Sequence, residues 1–149
     1  MIKILSPISR CDEVEDLIAA GADELYCGIL LDEWRKQYTV SASLNRRQED
    51  NPVLGTSPHF KSFEELKESV EIAHSRDVPV ILTLNEHYYS QDQYPYLMSY
   101  MDKVLEAGVD AFIIGDVAFI LSLRERDIPV KVHISTAGTA FNSETVRFY

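Results

Sequence analysis

Two pairs of near-identical phrases constrain this chain more than any other feature. Ala20-Gly21-Ala22-Asp23 is echoed by Ala107-Gly108-Val109-Asp110, and Arg76-Asp77-Val78-Pro79-Val80 by Arg126-Asp127-Ile128-Pro129-Val130. Each phrase lies where a helix-period pattern gives way to an apolar run. Glycine accepts the left-handed conformation in which helices commonly stop, and proline is tolerated at the first residue of a strand. A chain that repeats one helix-to-strand joint builds βα units, and right-handed βα units in series give a parallel sheet. Such a sheet is either a barrel or doubly wound. No Gly-x-Gly-x-x-Gly follows any apolar run, which argues against a dinucleotide-binding Rossmann fold.

The pattern between the joints is regular. An apolar strand is predicted over 2–8, followed by Ser9-x-x-Asp12, a capping-box variant with Asp in place of the usual Glu. The next helix puts Val14, Leu17 and Ile18 on one face and stops at Gly21; a second strand covers 24–31. Ser62-x-x-Glu65 opens a helix with Phe63, Leu66, Val70 and Ala73 at helical spacing. Then come a strand over 78–85, a helix from Pro95 to about Ala107, a strand over 110–115, a short helix over 117–126 and a strand over 129–135. Asn142 or Ser143 caps a final helix. The expected fold class is α/β, an incomplete TIM-barrel-like (β/α) array of about five parallel βα units in a single partial barrel domain, 1–149. An eight-unit barrel takes roughly 200 residues or more. The chain therefore reads as the N-terminal portion of a longer protein, its barrel completed by a missing C-terminal part or by oligomerisation.

Composition narrows the partners. The 149 residues are 46% hydrophobic, enough for a core, and the formal net charge is −10, which repels nucleic acid and acidic membranes at long range. No run approaches the roughly 18–20 apolar residues of a membrane span, and the first residues are too strand-like for a signal peptide; no membrane partner and a cytoplasmic location are expected. Cys11 and Cys27 have no metal-type spacing and read as reduced, buried small hydrophobes. A zinc or iron–sulfur site needs four ligands with thiolates dominant, so no metal or cofactor is expected within this chain.

Candidate site residues follow from the barrel geometry, in which chemistry gathers at the C-terminal ends of the strands. These ends supply Ser6, Tyr26, Cys27, Gly28, Thr83, Asn85, Asp116, His133, Ser135 and Thr136. His133 is of the residue type most often used as a general acid or base, Asp116 stands at the end of the neighbouring strand, and Ser135 shares a strand face with His133. A catalytic His133–Asp116–Ser135 set is geometrically conceivable, without any serine-hydrolase motif to support it. The structural alternatives are a hydrogen-bonded interior His133, Asp116 as the cap of the helix at Val117, and Ser135 and Thr136 satisfying backbone groups. Tyr26, Asn85, Thr136 and Asn142 are candidate substrate-binding residues, the asparagines equally suited to holding turns. The segment 32–61 is about thirty residues long, against the usual 2–6 for such loops. It carries Trp34, Tyr38, His59 and the pair Arg46-Arg47, which suits a carboxylate or phosphate clamp or a solvated surface pair. Trp34 reads as a lid over the mouth or as packing for the loop. The tyrosines at 88, 89, 94, 96 and 100 suit either stacking on a ring or packing of the following helix.

Several of these words, taken in order, resemble the peptidase U32 family: Ile4-Leu5-Ser6-Pro7, Ala20-Gly21-Ala22-Asp23-Glu24-Leu25-Tyr26-Cys27-Gly28, Ser43-Leu44-Asn45-Arg46-Arg47, Val80-Ile81-Leu82-Thr83-Leu84-Asn85, and His133-Ile134-Ser135-Thr136 followed by Asn142 and Val146-Arg147-Phe148-Tyr149. The resemblance covers nearly the whole chain. It implies a barrel-like N-terminal domain and a peptidase of collagenase-like type. Other members of the family look like oxygen-independent hydroxylation factors for RNA or a quinone precursor, with a four-cysteine 4Fe-4S cluster; here that cluster would belong to a longer parent. The substrate implied is thus a peptide, an RNA or a small molecule, and a non-catalytic ligand-binding or scaffold subunit is a third reading. The family's usual Gln after the His-x-Ser-Thr motif is Ala137 here.

Overall fold

The structure is a computed structural model and describes residues 2–38 and 57–149. Its strands are β1 (Leu5–Pro7), β2 (Glu24–Cys27), β3 (Val80–Leu84), β4 (Ala111–Ile114) and β5 (Val132–Ile134); its helices are α1 (Val14–Ala19), α2 (Asp32–Gln37), α3 (Phe63–His74), α4 (Tyr94–Glu106), α5 (Val117–Glu125) and α6 (Ser143–Phe148). All strand pairs are parallel and the sheet order is β1-β2-β3-β4-β5. Spatial order therefore equals chain order. This is the order of a (β/α) barrel, in which every crossover moves one strand onward, whereas a doubly wound sheet reverses direction. The sheet is open, with β1 and β5 at its edges.

Side-chain parity separates the two faces of the sheet. Leu25 and Cys27 of β2, Val80, Leu82 and Leu84 of β3, and Phe112 and Ile114 of β4 share one core with Leu66, Val70 and Ala73 of α3 and Leu97, Met101 and Val104 of α4. These residues form the helix-covered face. The alternate positions, Tyr26, Ile81, Thr83, Ala111, Ile113 and His133, occupy the opposite face, which in a closed barrel is the interior. The register aligns them in rows: Tyr26 with Ile81 and Ala111, then Thr83 with Ile113 and His133.

The repeated phrases are four copies of one helix stop. Gly21, Asp77, Gly108 and Asp127 all have positive φ, at 105°, 60°, 93° and 54°. In each case that residue's N–H bonds to the carbonyl three back and the next N–H to the carbonyl five back: Gly21 to Ile18 and Ala22 to Leu17, Asp77 to His74 and Val78 to Ala73, Gly108 to Leu105 and Val109 to Val104, Asp127 to Arg124 and Ile128 to Leu123. This is the Schellman pattern, which satisfies the last carbonyls of a helix. The aspartate that follows each glycine has its own task. Asp23 accepts the N–H of Ile4 and Asp110 that of Val80, both at 2.8 Å, so each pins the start of its strand to the strand before it.

The helix starts match expectation where a cap is well placed. The Ser62 hydroxyl accepts the Glu65 N–H, and Asn142 with Thr145 forms a reciprocal capping box on α6. At the first helix the expected partner is corrected: the Glu13 carboxylate, one residue beyond Asp12, accepts the Ser9 N–H at 2.9 Å, while Asp12 pairs with Arg10. All five strands are shorter than the apolar runs that contain them. β2 stops at Cys27 because residues 28–30 turn to another partner, with Phe60 N–H donating to Gly28, Leu30 N–H donating to Phe60, and Ile29 bridging Phe60. Within the long segment, α2 is an element the sequence did not announce. Its Trp34 is buried, 4.4 Å from the ring of Tyr38 and 5.2 Å from that of Tyr96. Trp34 thus packs the segment itself, and the lid reading is overturned.

Candidate functional site

The candidate site is the C-terminal end of the sheet on the face away from the helices. Thr83 and His133 share a row there, with Ile113 between them. The Thr83 hydroxyl is buried and donates to the Cys27 carbonyl at 2.9 Å, which ties the ends of β2 and β3 together. Carrying the register two residues further brings Asn85, Gly115 and Ser135 level; Gly115 N–H donating to Leu84 and Ser135 N–H donating to Ile114 continue the ladder that far. His133, Ser135, Thr83, Asn85 and Tyr26 are therefore brought to one face. His133 is half-buried and faces away from the helices.

Asp116 does not join them. It is only 4% exposed, and both carboxylate oxygens are occupied by backbone N–H groups. One oxygen accepts from Ala118 at 2.8 Å and from Phe119 at 3.3 Å, which caps α5; the other accepts from Tyr89 at 2.8 Å. By parity Asp116 also falls on the helix side of the sheet, opposite His133. The expected catalytic pairing of Asp116 with His133 is corrected accordingly: the carboxylate clamps the β3–α4 loop to the start of α5. Ser135 is buried and its hydroxyl accepts the Ala137 N–H at 3.2 Å, capping a 3₁₀ turn over Thr136–Gly138. A Ser/His/Asp relay is not assembled.

The remaining candidates divide by place. Thr136 is exposed at the start of that turn. Asn142 is exposed and accepts the N–H groups of Glu144 and Thr145 at 3.0 Å each, the turn-holding role. Arg46 and Arg47 lie outside the described residues. Of the tyrosines, Tyr89 and Tyr100 are buried, Tyr94 and Tyr96 are half-buried, and only Tyr88, 72% exposed, is free to stack on a ligand. Burial pushes the phenols of Tyr89 and Tyr100 well above the ordinary range and that of Tyr96 up to about 12.

Gly115 is the site residue that sequence reasoning missed. A β-carbon there would stand 2.5 Å from the Glu86 carbonyl and 3.0 Å from both the Asn85 carbonyl and the Ala137 β-carbon. The loops after β3 and β5 thus close over the end of β4 with no room for a side chain. The only signal was a glycine at the end of an apolar run, which also marks an ordinary turn. Ala137 borders this closure.

Among the described residues, no three His, Cys, Asp or Glu side chains are grouped to hold a metal ion. The chain's two cysteines cannot form a four-thiolate set, and Cys27 faces the helix-side core while Cys11 lies in the 3₁₀ turn before α1. No described helix is long and apolar enough to cross a membrane.

An open run of parallel βα units, with polar residues gathered at the C-terminal strand ends, defines a barrel-type α/β protein. The model of Peptidase family U32 matches residues 9–149. The chain belongs to that family. It is 30% identical to a collagenase of Porphyromonas gingivalis over 99% of the chain and 30% of that protein. It is 34% identical to the tRNA hydroxylation protein P2 of Bacillus subtilis over 59% of the chain and 28% of that protein. An uncharacterized protease of Methanocaldococcus jannaschii is 28% identical over 100% of the chain and 31% of its own length. The chain thus spans about a third or less of the curated relatives it matches. A solved U32 peptidase superimposes with a TM-score of 0.59 at 17% identity, over 92% of this chain and 50% of the other, a likeness of fold.

Proposed function

We propose that this chain is the N-terminal barrel portion of a U32-family enzyme acting on peptides, and that it supplies a substrate-binding wall. The observation that carries the reading is that His133 and Asn85 stand on one face at the C-terminal ends of parallel strands, beside the buried, backbone-bonded hydroxyls of Thr83 and Ser135. Hydrogen-bonding groups at this end of a barrel are placed to hold a ligand. With Asp116 and the Ser135 hydroxyl engaged by backbone amides, the wall orients a substrate, and the bond-breaking groups are assigned to residues outside this chain. The peptide class is supported by the relatives named collagenase and protease, which match along nearly the whole chain. A second reading, oxygen-independent hydroxylation of RNA or a quinone precursor, is supported by the tRNA hydroxylation protein. Any 4Fe-4S cluster it required would be held by cysteines beyond the two present here.

The test uses the full-length protein that carries this chain, purified without oxygen. Peptide-library cleavage is measured beside iron and sulfide content, with His133→Ala and Asn85→Ala as variants. The expected result is cleavage, with KM raised roughly tenfold by either substitution, the loss of one good polar contact at about 1.4 kcal/mol. An iron- and sulfide-containing protein that cleaves no peptide replaces this reading with hydroxylation. A folded, iron-free protein that binds peptide without turnover replaces it with a scaffold role.

A further inference from the structure

The turn that follows β5 is held in a conformation its residues do not favour. Thr139 has φ 56° and ψ 38°, in the left-handed region. Among the described residues with positive φ it alone is β-branched; the others are glycine or aspartate, which enter that region at lower cost. Such a conformation persists only where the surroundings over-determine it, and residues of this kind gather at functional sites. The turn's own bonds supply only part of the hold. Gly138 N–H donates to the Ser135 carbonyl at 2.8 Å, but Thr139 N–H reaches the Thr136 carbonyl only at 3.3 Å, beyond the usual range.

The remaining contacts come from outside the turn. On one side Ala137 abuts the end of β4, where a β-carbon on Gly115 would stand 3.0 Å from the Ala137 β-carbon. On the other side a β-carbon on Gly138 would stand 2.5 Å from an Ile134 methyl and 3.1 Å from the Tyr149 hydroxyl oxygen. That hydroxyl, on the residue after α6, donates to the Gly138 carbonyl at 2.5 Å. The carbonyl belongs to the peptide unit whose nitrogen is that of Thr139. Rotation about the bond from this nitrogen to the α-carbon is the φ of Thr139. The Tyr149 hydroxyl therefore fixes the peptide plane against which the left-handed angle is set. α6 itself adds little to this anchor, because none of its residues is buried.

We propose that Tyr149 is a positioning residue of the strand-end wall: by holding the Gly138 carbonyl it keeps the 135–139 turn, with exposed Thr136 at its start, beside His133. This rests on the reading of the strand ends as a substrate-binding wall. The experiment uses the full-length protein that carries this chain, as Tyr149→Phe, as Thr139→Gly and as the double variant. Tyr149→Phe keeps the ring and removes only the hydroxyl. Glycine takes positive φ without steric cost, so Thr139→Gly removes the need for the bond. Two quantities are measured: amide hydrogen exchange over 133–141 by mass spectrometry, and KM and kcat for peptide cleavage. In Tyr149→Phe, exchange at Gly138 and Thr139 should quicken about fivefold, the effect of one lost hydrogen bond. KM should rise about threefold with kcat unchanged, the mark of lost binding alone. The double variant should return both quantities to near the native values, a rescue that a merely packed ring would not show. The proposal is overturned by unchanged exchange in Tyr149→Phe, or by loosening that Thr139→Gly fails to reverse. It is also overturned by a loosened turn with native KM in a protein whose KM does rise in His133→Ala. A protein that cleaves no peptide, or whose KM ignores both His133→Ala and Asn85→Ala, shows instead that the wall reading has failed, and this proposal falls with it.

Discussion

Asp116 illustrates how much one buried carboxylate can organise. It accepts three backbone N–H groups from two segments and is almost fully enclosed. Removing it strands those donors, and each unsatisfied buried donor costs about 1–3 kcal/mol. Asp116→Ala should therefore destabilise the protein by roughly 3 kcal/mol, whereas His133→Ala, on the opposite face and half-buried, should cost less than about 1 kcal/mol; urea denaturation midpoints compare them directly. Equal losses would contradict the structural assignment of Asp116. The left-handed stops make a second residue-level prediction. Gly108→Ala forces a side chain into positive φ, at about 1–2 kcal/mol, and puts its β-carbon 3.2 Å from a Val70 methyl. Gly21→Ala has the same backbone strain with open space around it. The first substitution should lower the melting temperature more than the second.

At the scale of elements, α2 owes its existence to tertiary contacts. Six residues are too few to sustain a helix by propensity, and Trp34 fastens it to α4 through Tyr96. Trp34→Ala should cost about 3–5 kcal/mol and abolish the fluorescence of the chain's single tryptophan, so circular dichroism melts are the measurement. The same element shows where sequence reading stops. Five units, their order and their joints were legible, because Gly21, Gly108, Ser62 and Asn142 each act through local chemistry that one residue specifies. Strand lengths were not, since an apolar run tells only that residues are buried. Residues 28–30 are apolar or small like a strand yet pair with Phe60, a choice made by segments distant in sequence. The site was legible in part for the same reason. Period-two alternation placed His133 and Ser135 on one face, and the capping role of Asp116 was readable from its position before α5. The clamp on Tyr89 and the closure over Gly115 depend on how loops meet, and no local pattern encodes that.

For the molecule as a whole, the buried phenols set the alkaline limit. Tyr89, Tyr96 and Tyr100 are raised in the folded state by burial, Tyr96 to about 12, while an unfolded tyrosine ionises near pH 10. Above about pH 10 the unfolded chain holds fewer protons than the native one, so stability falls as pH rises. Below that value their contribution is fully present. Melting temperature should be insensitive to these groups up to about pH 9 and then decline, with their tyrosinate absorbance appearing together with unfolding. A tyrosinate signal complete near pH 10 in the still-folded protein would contradict the burial of these rings.

The equality of spatial and chain order carries a last consequence. Each strand pairs with the one made just before it, and each of the left-handed joints delivers the chain back to that neighbour's edge. During synthesis, each newly emerged strand among those described after β1 finds its template already outside the ribosome. Domains that fold from the N-terminus as they are made exploit this order. The growing edge is the single strand added last, so the exposure of unpaired backbone at that side is confined to one strand at every stage of growth.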